Sequence, residues 1–280
     1  MPAAVRAGVV GLGIIGSRVA ARIAAAGFPL AVWNRTPREI PGLPSPLRDP
    51  AAVAENSDVV QVFVSDDAAL RDTVRQMLPA LEARHVVVCN ATVAPETVRE
   101  MAAAVSDLGA VLLDAPFTGS RDAAAQGQIT YYISGDGAAL ARALPVLETS
   151  AKAIIPLGAV GTASAVKIAT NIMAAAAAVS LAEAVNLLRS NGIDPAILPA
   201  VLENNAARSG VTDLKLPCML TDEFAPRFSA KNMRKDLRLA CEAAAPGQRE
   251  LSKAMLRLYD LACEAGLGDE DFAAVVKVKS

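Results

Sequence analysis

The chain has 280 residues, 53% of them hydrophobic and 20% charged, a composition that supports a substantial core and excludes intrinsic disorder. Its 27 basic and 29 acidic residues leave a formal net charge of -2 without long blocks of either sign, which argues against nucleic acid or an anionic membrane and favours a small-molecule ligand. With one histidine, His85, multi-histidine metal sites are excluded, no metal is expected, and proton chemistry falls to Lys, Tyr, Ser or a carboxylate.

The first predicted element is a buried strand, Val5 to Val10, running directly into Gly11-Leu12-Gly13-Ile14-Ile15-Gly16 and then an Ala-rich helix, Ser17 to Ala26, stopped by Gly27. That order suits the pyrophosphate of a dinucleotide. Gly11 permits the tight turn, Gly13 lets backbone N–H groups approach the phosphates, and Gly16 lets helix and strand pack closely. The helix dipole and its exposed N–H groups favour the anion. A second strand, Leu30 to Trp33, follows and ends in Asn34-Arg35-Thr36. Where the usual motif places an acid for the ribose 2′-hydroxyl, a guanidinium with amide and hydroxyl donors beside it suits a 2′-phosphate, so NADP(H) is expected over NAD(H). The bland alternative is that Arg35 is a solvated surface charge. Arg38 is a second candidate.

Five prolines between residues 37 and 50 predict that the next helix is short or replaced by loop. Strands at Val59 to Val64, Val86 to Cys89, Val111 to Leu113, Tyr131 to Ser134 and Ile154-Ile155 continue the βαβ rhythm of a parallel, doubly wound sheet. His85 reads as a strand entrance. The loops Val64-Ser65-Asp66 and Asn90-Ala91-Thr92 lie at the carboxyl ends of strands, where ligands sit in such sheets. Ser65 and Thr92 also fit helix caps, and the two roles are compatible.

After Gly158 and Gly161 the pattern becomes helical, beginning with one long helix from Thr162 to Asn191 closed by Gly192. The fold expected is α/β: a Rossmann domain, 1–160, followed by an all-helical domain, 161–280, that starts with this connecting helix. The apolar run Ile172 to Ala182 is shorter than the roughly 20 residues a bilayer span needs, so it reads as buried helix. Ser164, Lys167 and Asn171 recur at i, i+3 and i+7 as a polar stripe on an otherwise apolar helix. Lys167 either snorkels to water or, desolvated, donates a proton to a carbonyl oxygen that gains charge as hydride arrives, with Asn171 orienting substrate or lysine. Spacing admits both. Four scattered cysteines without a CxxC pair or a secretory leader predict reduced thiols and a cytoplasmic protein.

Gly11 to Gly16, Asn34-Arg35-Thr36, Ala91-Thr92-Val93-Ala94-Pro95, Asp114-Ala115-Pro116-Phe117-Thr118-Gly119-Ser120, Gly158 through Lys167 to Asn171, and Phe228 to Leu239 together resemble the β-hydroxyacid dehydrogenase family. The likeness spans nearly the whole chain and is nearest to its glyoxylate/succinic semialdehyde reductase branch. The resemblance implies Lys167 as catalytic acid or base with Asn171 as partner, Thr118, Gly119 and Ser120 as a cradle for the substrate carboxylate, and Lys235-Asp236 as a pair closing the site from the second domain. It implies Phe228 on the substrate side, Lys235 toward both substrate and cofactor, and Asp236 toward the cofactor. Thr118 and Ser120 depart from the family's usual serine and glycine, and the added methyl of Thr118 narrows the pocket. Arg121 either supplies charge there or is a solvated loop arginine. The function expected is NADP(H)-dependent hydride transfer to a small carboxylate-bearing aldehyde such as glyoxylate or succinic semialdehyde, by a homo-oligomer, dimer or tetramer. Alternatives are an imine reductase of the same architecture, against which Lys167 argues, and an NADP-binding interaction module without turnover.

Overall fold

The computed structural model describes residues 5–245 and 247–278. The chain divides into two compact units inside one long helix, between Lys167 and Ile168.

In the first unit, β1 (Ala7–Val10), α1 (Gly16–Ala25), β2 (Leu30–Trp33), α2 (Pro50–Glu55), β3 (Val59–Val62), α3 (Asp67–Met77), β4 (Val86–Cys89), α4 (Pro95–Ser106) and β5 (Val111–Asp114) alternate as expected. The five strands form one parallel sheet in the order β2-β1-β3-β4-β5. Valine dominates because both faces are covered. Val9, Val32, Val59, Val86 and Val88 pack on one side, and Val10, Val60, Val62 and Val87 on the other. The proline-rich stretch delays the helix after β2, and α2 starts only at Pro50, capped by Asp49 Oδ1, which accepts from Ala52 N at 2.7 Å.

The strand expectations fail in one respect. β6 (Phe117–Thr118), α5 (Arg121–Ala125), β7 (Ile129–Ile133), α6 (Gly137–Leu147) and β8 (Ala151–Pro156) follow, but β7 and β8 do not extend the parallel sheet. They form a separate three-stranded sheet with β6, which runs antiparallel to β7. At two residues β6 is too short to leave a period in the sequence. It forms because the chain turns after β5 at Pro116, whose carbonyl takes a bond from Tyr132 N at 2.9 Å.

His85 is wholly buried at the entrance of β4, with Nδ1 2.8 Å from Glu82 N and Nε2 3.0 Å from Ala54 O. Both ring nitrogens are thus engaged by the backbone. At the same end of the sheet, Asp58 Oδ1 and Oδ2 receive the Arg6 guanidinium at 2.7 and 3.2 Å, and Arg84 Nη1 adds a contact at 3.1 Å. The hydrogen bond from Arg6, ahead of the cost of burial, holds the Asp58 carboxyl down at about 2. A depressed carboxylate stabilises the fold fully above its unfolded value of about 3.9 and loses that contribution as pH falls through the folded value. Asp58→Asn is therefore expected to cost about 1 kcal/mol at pH 7, solvent screening included, with the gap to wild type closing between about pH 4 and pH 2. Unfolding curves at both ends of that window check it, and an equal gap at both overturns the ion-pair account.

The connecting helix is α7 (Thr162–Ser190), and it is followed by α8 (Leu198–Leu202), α9 (Gly210–Thr221), α10 (Ala230–Ala243), α11 (Glu250–Glu264) and a 3-10 turn at Phe272–Lys277. Among the described residues α7 alone is long and apolar enough to cross a bilayer. Its apolar content has a use within the second unit, where Ala175, Ala178, Leu181, Ala182 and Val185 enter a core with Leu216, Met219, Met233, Leu237, Met255 and Tyr259. That unit also holds a buried ion pair that the sequence reading missed. Lys215 Nζ lies 2.8 and 2.9 Å from the Asp271 oxygens and 4.2 Å from the Phe272 ring centre. Asp271 further accepts from Arg227 N and Ala273 N, at 3.1 and 3.0 Å, so its charge is fully hydrogen-bonded. No local pattern signals a pair 56 residues apart.

Candidate functional site

In the first unit the glycine-rich turn joins β1 to α1, and the three glycines meet three different demands. Gly11 has φ +95, and a Cβ there would stand 2.0 Å from Phe63 O. A Cβ on Gly16 would stand 1.9 Å from Gly11 O, so this residue is set by helix-to-turn packing. Gly13 is different: a Cβ there would meet no protein atom within 4 Å, and its φ lies outside the left-handed region. Among the described residues no close contact requires glycine at 13, and the exposed backbone there is open to an approaching group such as a dinucleotide pyrophosphate. The helix start also fits that group, since Ile15 at its N-cap contributes no side-chain cap and no acid lies in the first turn. Leu12 is buried beneath the loop, Ile14 is 58% exposed on it, and Ile15 is half-buried.

Asn34 belongs to this loop. Its Oδ1 accepts from Leu12 N at 2.8 Å and its Nδ2 donates to Thr36 O at 2.7 Å, so one side chain ties the end of β2 to the glycine turn. Arg35 and Thr36 are exposed beside it. Arg38 Nη1 donates to Leu12 O at 3.3 Å, which brings a second guanidinium against the same loop. The residues present therefore fit a phosphate-bearing dinucleotide in charge, donor supply and backbone access.

The loops after β3 and β4 are arranged differently from each other. Ser65 is exposed and donates to Asp66 Oδ2 at 2.7 Å, Val64 is half-buried, and the cap of α3 is Asp66, which accepts from Ala69 N at 2.9 Å. Thr92 is half-buried and does not cap α4, whose N-cap Ala94 has its N–H taken by Asp67 Oδ1 at 2.9 Å. Asn90 turns inward, 3% exposed, donating to Gln61 Oε1 at 3.2 Å, so its amide supports the sheet and is not presented at the surface.

Thr118 and Gly119 are exposed at the end of β6, Gly119 with φ +149. Ser120 caps α5, its Oγ accepting from Ala123 N at 3.3 Å. Arg121 is exposed and pairs with its neighbour Asp122 at 3.0 Å. Lys167 is half-buried, on the second turn of α7. Ser164, which shares its face, is fully buried and donates to Asp114 Oδ1 at 2.7 Å, so the polar stripe begins with a structural contact.

In the second unit the structure brings together Asn171, Lys235 and Asp236. Asn171 is 7% exposed and its Nδ2 donates to Asp236 Oδ2 at 2.5 Å, which leaves the amide oxygen on the other side. Lys235 Nζ lies 2.8 Å from Asp236 Oδ1, paired by charge though outside hydrogen-bond geometry. Asp236 is thus 3% exposed and directed at Asn171. Phe228 packs edge-on against Phe272, ring centres 6.0 Å apart. Among the described residues no group of three or more His, Cys, Asp or Glu side chains could hold a metal ion.

Known proteins resemble the chain over nearly its whole length. Residues 6–161 match the NAD binding domain of 6-phosphogluconate dehydrogenase, and residues 161–279 match the NAD-binding domain of NADP-dependent 3-hydroxyisobutyrate dehydrogenase. Glyoxylate/succinic semialdehyde reductase 2 of Arabidopsis thaliana is 30% identical over 96% of this chain and 78% of its own length. NAD-dependent L-serine dehydrogenase of Pseudomonas aeruginosa is 28% identical over 96% of each chain. The solved structure of Mycobacterium tuberculosis 3-hydroxyisobutyrate dehydrogenase with L-serine superposes with a TM-score of 0.87, at 26% identity, over 98% of each chain.

Proposed function

The chain belongs to the β-hydroxyacid dehydrogenase family, and from that premise we propose that it is an NADP(H)-dependent reductase of small carboxylate-bearing aldehydes, glyoxylate and succinic semialdehyde among them. The observation that carries the reading is Lys167, the half-buried amine on the α7 face that also bears Asn171, within a chain whose glycine loop is open at Gly13. When bound, the reduced nicotinamide supplies the hydride.

The protein's own residues do the rest. As hydride reaches the carbonyl carbon, negative charge builds on its oxygen, and Lys167 neutralises it by giving up a proton from Nζ. Asn171, its NH2 held by Asp236, keeps its amide oxygen as the group able to accept from an ammonium or a hydroxyl one turn away on the same helix. The exposed backbone at Thr118 and Gly119 and the Thr118 hydroxyl offer donors to the substrate carboxylate. Arg121 contributes less, since its charge is shared with Asp122 in water. Arg35, exposed beside the pinned Asn34, and Arg38, against the glycine loop, supply the positive charge that favours a 2′-phosphate. Four unpaired thiols, Cys89 buried among them, support a reducing compartment such as the cytoplasm.

Oxidation of NADPH and of NADH followed across a panel of small aldehydes, with and without a carboxylate, tests the reading. Turnover of the carboxylate-bearing members with NADPH, at kcat/KM about tenfold or more above NADH, is expected. No turnover on any member overturns the reductase assignment, and a preference for NADH overturns the role of Arg35.

A further inference from the structure

Asp114 ends β5 with a side chain that is 0% exposed, and nothing in the reaction above uses it. Its Oδ2 accepts from Gly161 N at 3.1 Å, Ser164 N at 2.9 Å and Ser134 Oγ at 3.1 Å, and its Oδ1 accepts from Ser164 Oγ at 2.7 Å. Ser134 Oγ in turn accepts from Ala163 N at 3.1 Å. The amides of 161, 163 and 164 belong to the start of α7, where a helix cannot satisfy its own N–H groups, and all three are satisfied from the ends of β5 and β7. The same corner is tied through the backbone. Asp114 and Ser134 exchange N–H···O bonds of 2.9 and 2.8 Å, and Gly135 N donates to Gly158 O at 2.7 Å.

The arrangement is chemically one-sided. Two of the four groups on Asp114 are backbone N–H donors and the other two are hydroxyls directed at it, so a carboxylate suits the position and the helix dipole adds to the attraction. Burial pushes the Asp114 carboxyl above its ordinary value, and the bonds from Ser164, Ser134 and Gly161 offset only part of that cost. Lys167 follows Ser164 by three residues on the same rigid turn, so its Cα sits where the Ser164 anchor puts it.

We propose that Asp114 is a positioning residue for Lys167: its buried carboxylate fixes the first turn of α7, and through it the place of the amine. This rests on the reading of Lys167 as proton donor. A catalytic group displaced by about 1 Å forfeits on the order of a hundredfold in rate, which is ample scope for an anchor to matter.

Asp114→Asn replaces an acceptor by a donor facing donors, and Ser164→Ala removes one bond while keeping the fold, so Ser164→Ala carries the test where the first variant does not fold. Two readouts are taken on the full chain, with Lys167→Ala in parallel. Amide hydrogen exchange over residues 161–167 is expected to speed up by about tenfold or more while β1 to β5 stay protected. Turnover per NADPH-binding site is expected to fall about ten- to a hundredfold, with aldehyde KM and NADPH Kd within about twofold of wild type. A merely structural residue would lower yield or Tm and leave kcat per site untouched. Unchanged exchange, or unchanged kcat per site beside an inactive Lys167→Ala, overturns the proposal alone. Full turnover by Lys167→Ala overturns the functional reading and this role with it.

Discussion

Lys167→Ala is expected to lower kcat by about 10² to 10⁴, some 3 to 5 kcal/mol of transition-state stabilisation, with NADPH binding unchanged. The magnitude follows from the chemistry. Hydride delivery without a proton donor leaves an alkoxide that only water can neutralise, and the polar residues nearest Lys167 on its helix, Ser164, Thr170 and Asn171, carry no comparable acid. Lys167→Met separates charge from packing, because it keeps an unbranched apolar stem and removes the proton. Single-turnover oxidation of NADPH, with cofactor affinity taken from fluorescence quenching, measures both quantities. If both variants turn over at the wild-type rate, Lys167 is only a snorkelling surface lysine.

Gly13→Val is expected to weaken NADPH binding by about a hundredfold or more, roughly 3 kcal/mol, while Tm changes little. The combination is unusual for a glycine and comes from the geometry of this turn. A Cβ at this position would meet no atom of the described residues within 4 Å, so the branch point has open space and the loss falls on whatever approaches that backbone. Gly16→Ala is the contrast, since its Cβ would lie 1.9 Å from Gly11 O and the turn must distort. Calorimetry with NADPH alongside thermal unfolding distinguishes them. Wild-type affinity in a folded Gly13→Val protein would remove the pyrophosphate from this loop.

Much of the first unit was legible because its signals are local. A valine-rich strand, a glycine turn and an alanine-rich helix each carry their pattern within about ten residues, and the structure places β1, α1 and β2 within a few residues of expectation. The long helix was equally readable, predicted from Thr162 to Asn191 and observed from Thr162 to Ser190. What misled was also local. Tyr131 to Ser134 and Ile154-Ile155 read as strands, as they are, but nothing near them says which sheet they join, and the two-residue partner β6 left no period.

Residue types and spacings by themselves determined the doubly wound sheet, the helical region after it, the dinucleotide loop and the polar stripe at 164, 167 and 171. Periodicity and backbone preference act over a few residues and need no distant partner. Only the tertiary structure decided what each polar group faces: Ser164 bonded to Asp114 50 residues away, Asn171 to Asp236 across 65, and Lys215 to Asp271 across 56. A buried polar atom must find a partner wherever the folded chain brings one within about 3 Å, and that choice is made by packing of distant segments, which no local pattern encodes.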